Sequence, residues 1–312
     1  MFLNYALVDV FTTTRFLGNP LAIVRVPASY LASLSQETKQ KIAIEFNLSE
    51  TIFLHESAEE WQDQPLRSSE TLAIDTFTPK CEIPFAGHPT IGTAAYIFQQ
   101  HNTGPAAVAS LKFLATKAGH ISVSQDAKDG LISARIPFDY HLHQTRIPSP
   151  SVTLSGSSST SPAVSIVKGL SFVLAELCDL EALGSVSAGL LADCVNPQNL
   201  DEGWCTGLIG TKYFVDLGKD DQGCRQLRTR MFVSWEDPGT GSASSALSCF
   251  LALGEAKEKG SGPFHYHIIQ GVEMGRRNDI HVRVSRSEDG EQISEVLLQG
   301  NSVLVGEGRI AV

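Results

Sequence analysis

Two stretches of this chain follow one plan, and that plan limits what it can fold into. The runs TFTPKCEIPFAGHPTIGTAAYIF (76–98) and MFVSWEDPGTGSASSALSCFL (231–251) each end a strand, pass an acidic, Pro-bearing turn, and open a helix at Gly plus a polar residue. The helices themselves are rich in Ala, Gly, Thr and Ser. Side chains this small let neighbouring backbones approach from every direction, so each helix is expected to thread a curled sheet, once per lobe. Identity between the two runs is low, so the pattern points to duplication and not to a repeat array.

The remaining chain fits two such lobes. Its 312 residues correspond to about two domains. Apolar residues are 42% and charged residues 19%, an ordinary globular balance that argues against wholesale disorder. A net charge of -10 with no basic run disfavours nucleic acid or an anionic membrane as partner. No stretch reaches the roughly 18 apolar residues of a spanning helix. MFLNYALVDVF alternates like a strand and lacks the form of a signal peptide, so a cytoplasmic location is expected. The six cysteines form no C-x-x-C pair, which favours reduced thiols over disulfides or structural zinc.

In the first half, Asn4–Phe11, Leu21–Val26, Thr51–His55 and Thr71–Phe77 read as strands, followed by Leu111–Leu114, Gly119–Ser124 and Leu131–Ile136. Gln36–Phe46 reads as a helix with Ser33 and Gln36 as a capping box, and Pro89–Gln100 as the first small-residue helix. Residues 149–165 are dominated by Ser, Pro and Thr and read as a surface loop, marking the lobe boundary or an insertion within one lobe. The first lobe is expected over 1–140 plus about 295–312, and the second over 141–294. In the second, Ser171–Leu177, Gly207–Val215, Leu227–Val233, His265–Ile269 and Ile280–Ser285 read as strands. Gly241–Leu253 is the second small-residue helix, and the chain ends with apolar Ser302–Val305 and Arg309–Val312.

Both helix starts are candidate anion sites, because the first N–H groups of a helix lack intrahelical partners and carry about half a positive charge. Gly87-His88-Pro89-Thr90 opens one with Pro at the first helical position, and Asp237-Pro238-Gly239-Thr240-Gly241-Ser242 precedes and opens the other. Facing each other across a cleft, they would hold a carboxylate and stabilise an enolate-like charge; the alternative is two ordinary caps. Asn47-Leu48-Ser49-Glu50-Thr51 sets a polar cluster between helix and strand. Glu50 there is either a solvated loop acid or, if desolvated, a general acid/base of raised pKa. Glu45 reads as plain helix surface. Asp237 is either a helix-start acid or a second carboxylic acid facing Glu50; two carboxyls on opposite faces of a substrate can remove a proton and return one elsewhere, the logic of racemases and proton-shift isomerases.

The runs VDVFTTTRFLGNPLAIV, EFNLSETIFL, FTPKCEIPFAGHPTIGTA, EDPGTGSASSAL and QGVEMGRRNDIHVRV resemble, in order, the signature segments of the phenazine-biosynthesis PhzF-like family, over residues 8–284. That family shares the diaminopimelate epimerase fold. The resemblance implies an α+β fold of two lobes, each a barrel-like, mostly antiparallel sheet around a central helix, with the site between them, and a homodimer. It implies a cofactor-independent isomerase acting on a small anionic carboxylic acid. Glu50 would move the proton, and His88 and Asp237 would position substrate and share proton traffic. Ser242 and the Gly241 backbone would hold a substrate carboxylate, with Gly87, Pro89, Thr90 and Ala243 completing the binding segments. Residues 149–165 and 194–221 match no family motif, and the latter segment is expected to shape the pocket.

Two other functions fit the residues. One is a non-catalytic small-molecule binder on the same fold. The other is a two-thiol racemase, disfavoured because Ala86 and Asp237 occupy the helix starts where such enzymes carry Cys. No metal is expected, since Gly87-His88-Pro89 lacks ligand spacing. His141 and His143 alternate on a strand and could pair as ligands, but a solvated edge is the simpler reading; His265 and His267 read the same way. Arg276-Arg277 reads as an exposed turn. Trp61, Trp204 and Trp235 are too dispersed for a stacking platform, though Trp235 is near enough to Asp237 to line a pocket.

Overall fold

The computed structural model describes residues 2–56, 70–102, 111–149, 160–195 and 197–312. It contains mixed sheet and few helices: α1 (Ala28–Leu31), α2 (Gln36–Phe46), α3 (Gly87–Asn102), α4 (Leu180–Ser185) and α5 (Gly241–Leu253). This is the expected α+β class. The chain divides into two compact units, Met1–Ile136 with Gln299–Val312, and Pro137–Leu298.

In the first unit, strand Phe2–Val10 lies between Ser302–Ala311 and Asn19–Val26, antiparallel to both. Asn19–Val26 runs parallel to Thr51–His55, with α1 and α2 in the connection, and Thr51–His55 is antiparallel to Thr71–Phe77. A two-residue return, Glu82–Ile83, pairs with Thr76 and Phe77. Then α3 leads to Phe113–Thr116, parallel to Thr71–Phe77 and antiparallel to Gly119–Gln125.

The second unit repeats this pairing strand for strand. Thr160–Val167 is antiparallel to Leu170–Glu176, which runs parallel to Leu208–Lys219 with α4 between them. Leu208–Lys219 is antiparallel to Arg225–Phe232, and a two-residue return, Glu236–Asp237, pairs with Met231 and Phe232. Then α5 leads to Phe264–Gln270, parallel to Arg225–Phe232 and antiparallel to Asn278–Arg286. The duplication indicated by two short runs extends through the topology of both units.

The small-residue helices are buried around their whole circumference. From Ile91 to Phe98 every α3 side chain with a Cβ is at most 3% exposed, and the helix packs on Phe2–Val10, Asn19–Val26, Thr51–His55, Ile132–Arg135 and Ser302–Ala311. Gly92 makes this approach possible: a Cβ there would lie 2.6 Å from Val10 Cγ2 and 2.7 Å from Leu21 Cδ2. Ala243–Cys249 of α5 are likewise all buried, against Thr160–Val167, Leu170–Glu176, Phe264–Gln270 and Asn278–Arg286. The other helices pack one face only. In α2, Ile42 and Ala43 meet Phe53 and Phe77, whose rings touch edge to face at 5.4 Å. In α4, Ala182 and Leu183 meet Tyr213 and Phe232.

Several local readings are corrected. The α2 cap is Ser35, whose hydroxyl accepts from the Thr38 N–H at 3.1 Å; Ser33 instead donates to the Tyr30 carbonyl. Thr160–Ser165, read as part of a loop, begin strand Thr160–Val167; residues 150–159 lie outside the described residues, as does Trp61. Ser161, Ser165 and Ser171 are buried in this sheet, and the Ser165 and Ser171 hydroxyls bond each other at 2.6 Å. Partnered hydroxyls offset the desolvation that polar composition alone would make prohibitive. Pro162 is accommodated where the strand register shifts against His141–Pro148.

Candidate functional site

In the first unit the polar cluster after α2 is placed by backbone geometry. Asn47 ends the helix in the left-handed conformation (φ 50°), its N–H bonded to the Ala43 carbonyl at 3.1 Å. The chain reverses through Leu48 and Ser49, so Glu50 stands at the mouth of strand Thr51–His55. His88 is the second residue of α3 and 5% exposed. Its Nδ1 lies 3.2 Å from Glu50 Oε2, and the Glu50 side chain is 18% exposed. Two candidates separated by 38 positions therefore meet at the start of α3. Gly87 opens the helix, and Pro89 occupies its first turn at no hydrogen-bond cost. The Thr90 hydroxyl donates to the Ala86 carbonyl at 2.8 Å, so it fixes the turn and is already engaged.

In the second unit Asp237 belongs to the two-residue return strand before α5. Its Oδ2 accepts from the Thr240 hydroxyl at 2.5 Å and its Oδ1 from the Gly239 N–H at 3.3 Å. Thr240, at the N-cap, makes no side-chain cap bond to the helix because its hydroxyl is turned to Asp237. Gly241 and Ala243 are buried in the first turn, with Ser242 half-buried beside them. Gly239 is required by packing, since a Cβ there would fall 2.2 Å from Asn278 Oδ1.

Beneath this turn lies a polar group that the sequence reading missed. Lys212, in strand Leu208–Lys219, is fully buried; its Nζ donates to Gln270 Oε1 at 2.5 Å and to Ser244 Oγ at 3.1 Å. Burial pushes its pKa down to about 7, against the opposing pull of the Asp237 charge. Buried Gln270 ties this lysine to the turn: its amide donates to the Asp237 carbonyl at 2.7 Å and to Thr240 Oγ1 at 3.1 Å. Asn278, also buried, donates to the carbonyls of Pro238 (2.6 Å) and Arg276 (2.7 Å). The one available signal was a lone Lys inside the apolar strand run LIGTKYFVDL, where an unpaired ammonium would be expensive.

The remaining candidates sort quickly. All six cysteines are free; Cys249 is buried in α5, which drives its thiol pKa up, and Cys81 is exposed in the turn before α3. No thiol occupies either helix start, contrary to the two-thiol reading. Trp235 is 53% exposed. Arg277 pairs with Asp279 at 2.7 Å, as suits an exposed turn. His267 is no free edge residue: it bonds Gln226 and Asp279, both at 2.8 Å, and stacks on His281. His143 is buried and His141 only partly exposed, which overturns the solvated-edge reading of that pair. A cavity of about 300 Å³ in the second unit is lined by Leu191, Val195, Pro197, Leu200 and Ile209; it contains none of the candidate acids. No helix among the described residues is long and apolar enough to cross a membrane.

The model of the family described as phenazine biosynthesis-like protein matches residues 8–308. Trans-2,3-dihydro-3-hydroxyanthranilate isomerase of Pseudomonas aeruginosa is 30% identical over 313 residues, covering 98% of each chain. An uncharacterized isomerase of Pasteurella multocida is 30% identical over 316 residues, covering 99% of this chain and 94% of that protein. The crystal structure of a PhzF-family phenazine biosynthesis protein from Bacillus anthracis aligns with a TM-score of 0.72 over 100% of both chains, at 21% identity, which carries the fold alone. Matched over residues 8–308 by the family model and over nearly its whole length by two proteins named as isomerases, this chain belongs to the phenazine biosynthesis-like family and is an isomerase.

Proposed function

We propose that this isomerase shifts a proton between carbons of a small carboxylic acid, with Glu50 as the acid/base. Glu50 takes a proton from a carbon activated by a neighbouring unsaturation or carboxylate, and returns it to a second carbon of the same skeleton. Atoms balance without an external oxidant, and the scheme draws on no cofactor. The charge that develops on the substrate is met by helix N-terminal N–H groups, of which Gly241 and Ser242 offer a pair suited to a substrate carboxylate. His88 holds the Glu50 carboxyl and shares its proton, and Asp237 positions the substrate or serves as a second acid. Similarity to trans-2,3-dihydro-3-hydroxyanthranilate isomerase points to cyclic, unsaturated amino or hydroxy acids as the class to try first. A homodimer belongs to the same proposal, and sedimentation velocity measures it.

The single observation that carries this reading is the 3.2 Å approach of Glu50 to His88 at the start of α3. The test is a panel of cyclic unsaturated and amino carboxylic acids in deuterated solvent, read for carbon-bound deuterium by mass spectrometry. The wild-type protein is expected to label a member of the panel. Glu50→Gln keeps the side-chain shape and is expected to lower the rate by about 10²–10⁴-fold, the range of a lost general acid/base, while leaving circular dichroism unchanged. Equal labelling by the variant refutes the role of Glu50. Saturable binding of an acid with no labelling by wild type indicates a binder and refutes the isomerisation itself.

A further inference from the structure

His141 and His143 share one face of strand His141–Pro148, as residues two apart in a strand must. Asp201 approaches that face from a distant segment, and three side-chain donor atoms from the trio lie within 4.8 Å of one another. His141 Nε2 is 2.8 Å from Asp201 Oδ2, and His143 Nδ1 is 3.8 Å from the same oxygen. Trp204 stacks flat on the His141 ring (centroids 4.6 Å, 8° between planes) and meets His143 edge-on.

The tautomer of His143 follows from its partners. Its Nδ1 accepts from the Asp201 backbone N–H at 3.3 Å, so the ring proton sits on Nε2 and is donated to Ser165 Oγ at 2.8 Å. Asp201 Oδ2 lies 3.8 Å from the same nitrogen, so this oxygen and the Nδ1 lone pair border one small space beside His141 Nε2. The outer partners are those of a metal ligand set: a hydroxyl on the second nitrogen of His143, and the Gln144 N–H on Asp201 Oδ1 at 3.1 Å.

We propose that His141 Nε2, His143 Nδ1 and Asp201 Oδ2 form a binding site for one divalent transition metal of the zinc class. Two imidazoles and one carboxylate suit zinc, cobalt or nickel and not magnesium or calcium. Ligand atoms about 2.0–2.2 Å from a tetrahedral zinc stand roughly 3.4 Å apart, between the 2.8 Å and 3.8 Å found here. His141 binds as the tautomer with its proton on Nδ1, which frees the Nε2 lone pair without net proton release, and His143 Nδ1 exchanges its 3.3 Å bond from the Asp201 N–H for the metal. The fourth position goes to water. The ion clips strand His141–Pro148 to the segment carrying Asp201 and Trp204, so it stabilises the fold in proportion to its occupancy.

The test uses the full chain without a histidine tag, stripped with chelator and dialysed. Zinc titration by calorimetry is expected to give one site, with a rise in melting temperature. Cobalt is expected to quench Trp204 fluorescence, and Trp204→Phe is expected to lose that quench while still binding zinc. His141→Phe retains a ring against Trp204, and with Asp201→Asn is expected to weaken zinc at least tenfold each, with unliganded melting temperatures near wild type. No zinc binding by wild type overturns the proposal. Binding that persists in His141→Phe and disappears in His267→Phe also overturns it, by moving the metal to the His267–Asp279–His281 cluster.

Discussion

Lys212 shows what a single residue can hide. Its neighbours in sequence are those of an ordinary buried strand, and the partners that make it tolerable, Gln270 and Ser244, lie 58 and 32 positions away. Sequence gives the cost of burying it and no sign of what offsets that cost. Its pKa supplies a signed prediction. In the unfolded chain a lysine stays protonated to about 10.4, whereas here the value falls to about 7. Below pH 7 both states hold the proton and stability carries the full cost of a buried charge. Between pH 7 and about 10.4 the unfolded state binds more protons, so stability rises with pH, by up to about 1.4 kcal/mol per unit. Lys212→Met, which fills similar volume without charge, is expected to lose that component. Urea midpoints of both proteins at pH 6.5, 8 and 9.5 measure it, and parallel curves would show that Lys212 is not desolvated as described. Glu50, His88 and Asp237 stand out as candidates in the sequence for the opposite reason. Each sits in a compact motif whose residue types have a chemical purpose within a few positions.

At the scale of elements, the sequence located what short-range physics decides. Helix Gln36–Phe46, helix Gly241–Leu253 and strands Thr51–His55 and Thr71–Phe77 fall where the sequence places them. In these, periodicity and turn residues agree with the tertiary environment. Strand Thr160–Val167 was not visible because its polar residues are satisfied across the sheet, as in the His143–Ser165–Ser171 chain of hydrogen bonds. The α2 cap was placed two residues early because Ser33 and Ser35 both fit a cap pattern, and only geometry shows which hydroxyl reaches an N–H. Ser35→Ala is therefore expected to destabilise the protein by about 1 kcal/mol, the usual worth of an N-cap. Ser33→Ala is expected to stay within about 0.5 kcal/mol of wild type, as an exposed position away from any cap. Chemical denaturation of the two variants separates them, and the reverse ranking would reinstate Ser33 as the cap.

At the scale of the whole molecule, the repeated pairing pattern sets unlike residues at matched positions of the two units. Counting along the matched strands, Glu82–Ile83 corresponds to Glu236–Asp237, and Gly87-His88 corresponds to Gly241-Ser242. The acid of the second unit thus falls where the first unit has Ile83, and the acid of the first, Glu50, stands before a different strand. Neither unit duplicates the other's candidate groups. If Glu50 and Asp237 serve one reaction, their losses are not independent. Glu50→Gln alone is expected to cost about 10²–10⁴-fold in turnover. Asp237→Asn keeps one of the two acceptor oxygens, enough for the shorter bond from the Thr240 hydroxyl, and is expected to cost at least tenfold. The double variant is then expected to be no slower than about the worse single variant, because groups acting as a unit are strongly non-additive. The measurement is kcat for the four proteins on whichever acid takes up deuterium. Losses that multiply would assign the two carboxyls to separate tasks, and an Asp237→Asn rate within twofold of wild type would leave Glu50 and His88 as the whole of the acid–base machinery.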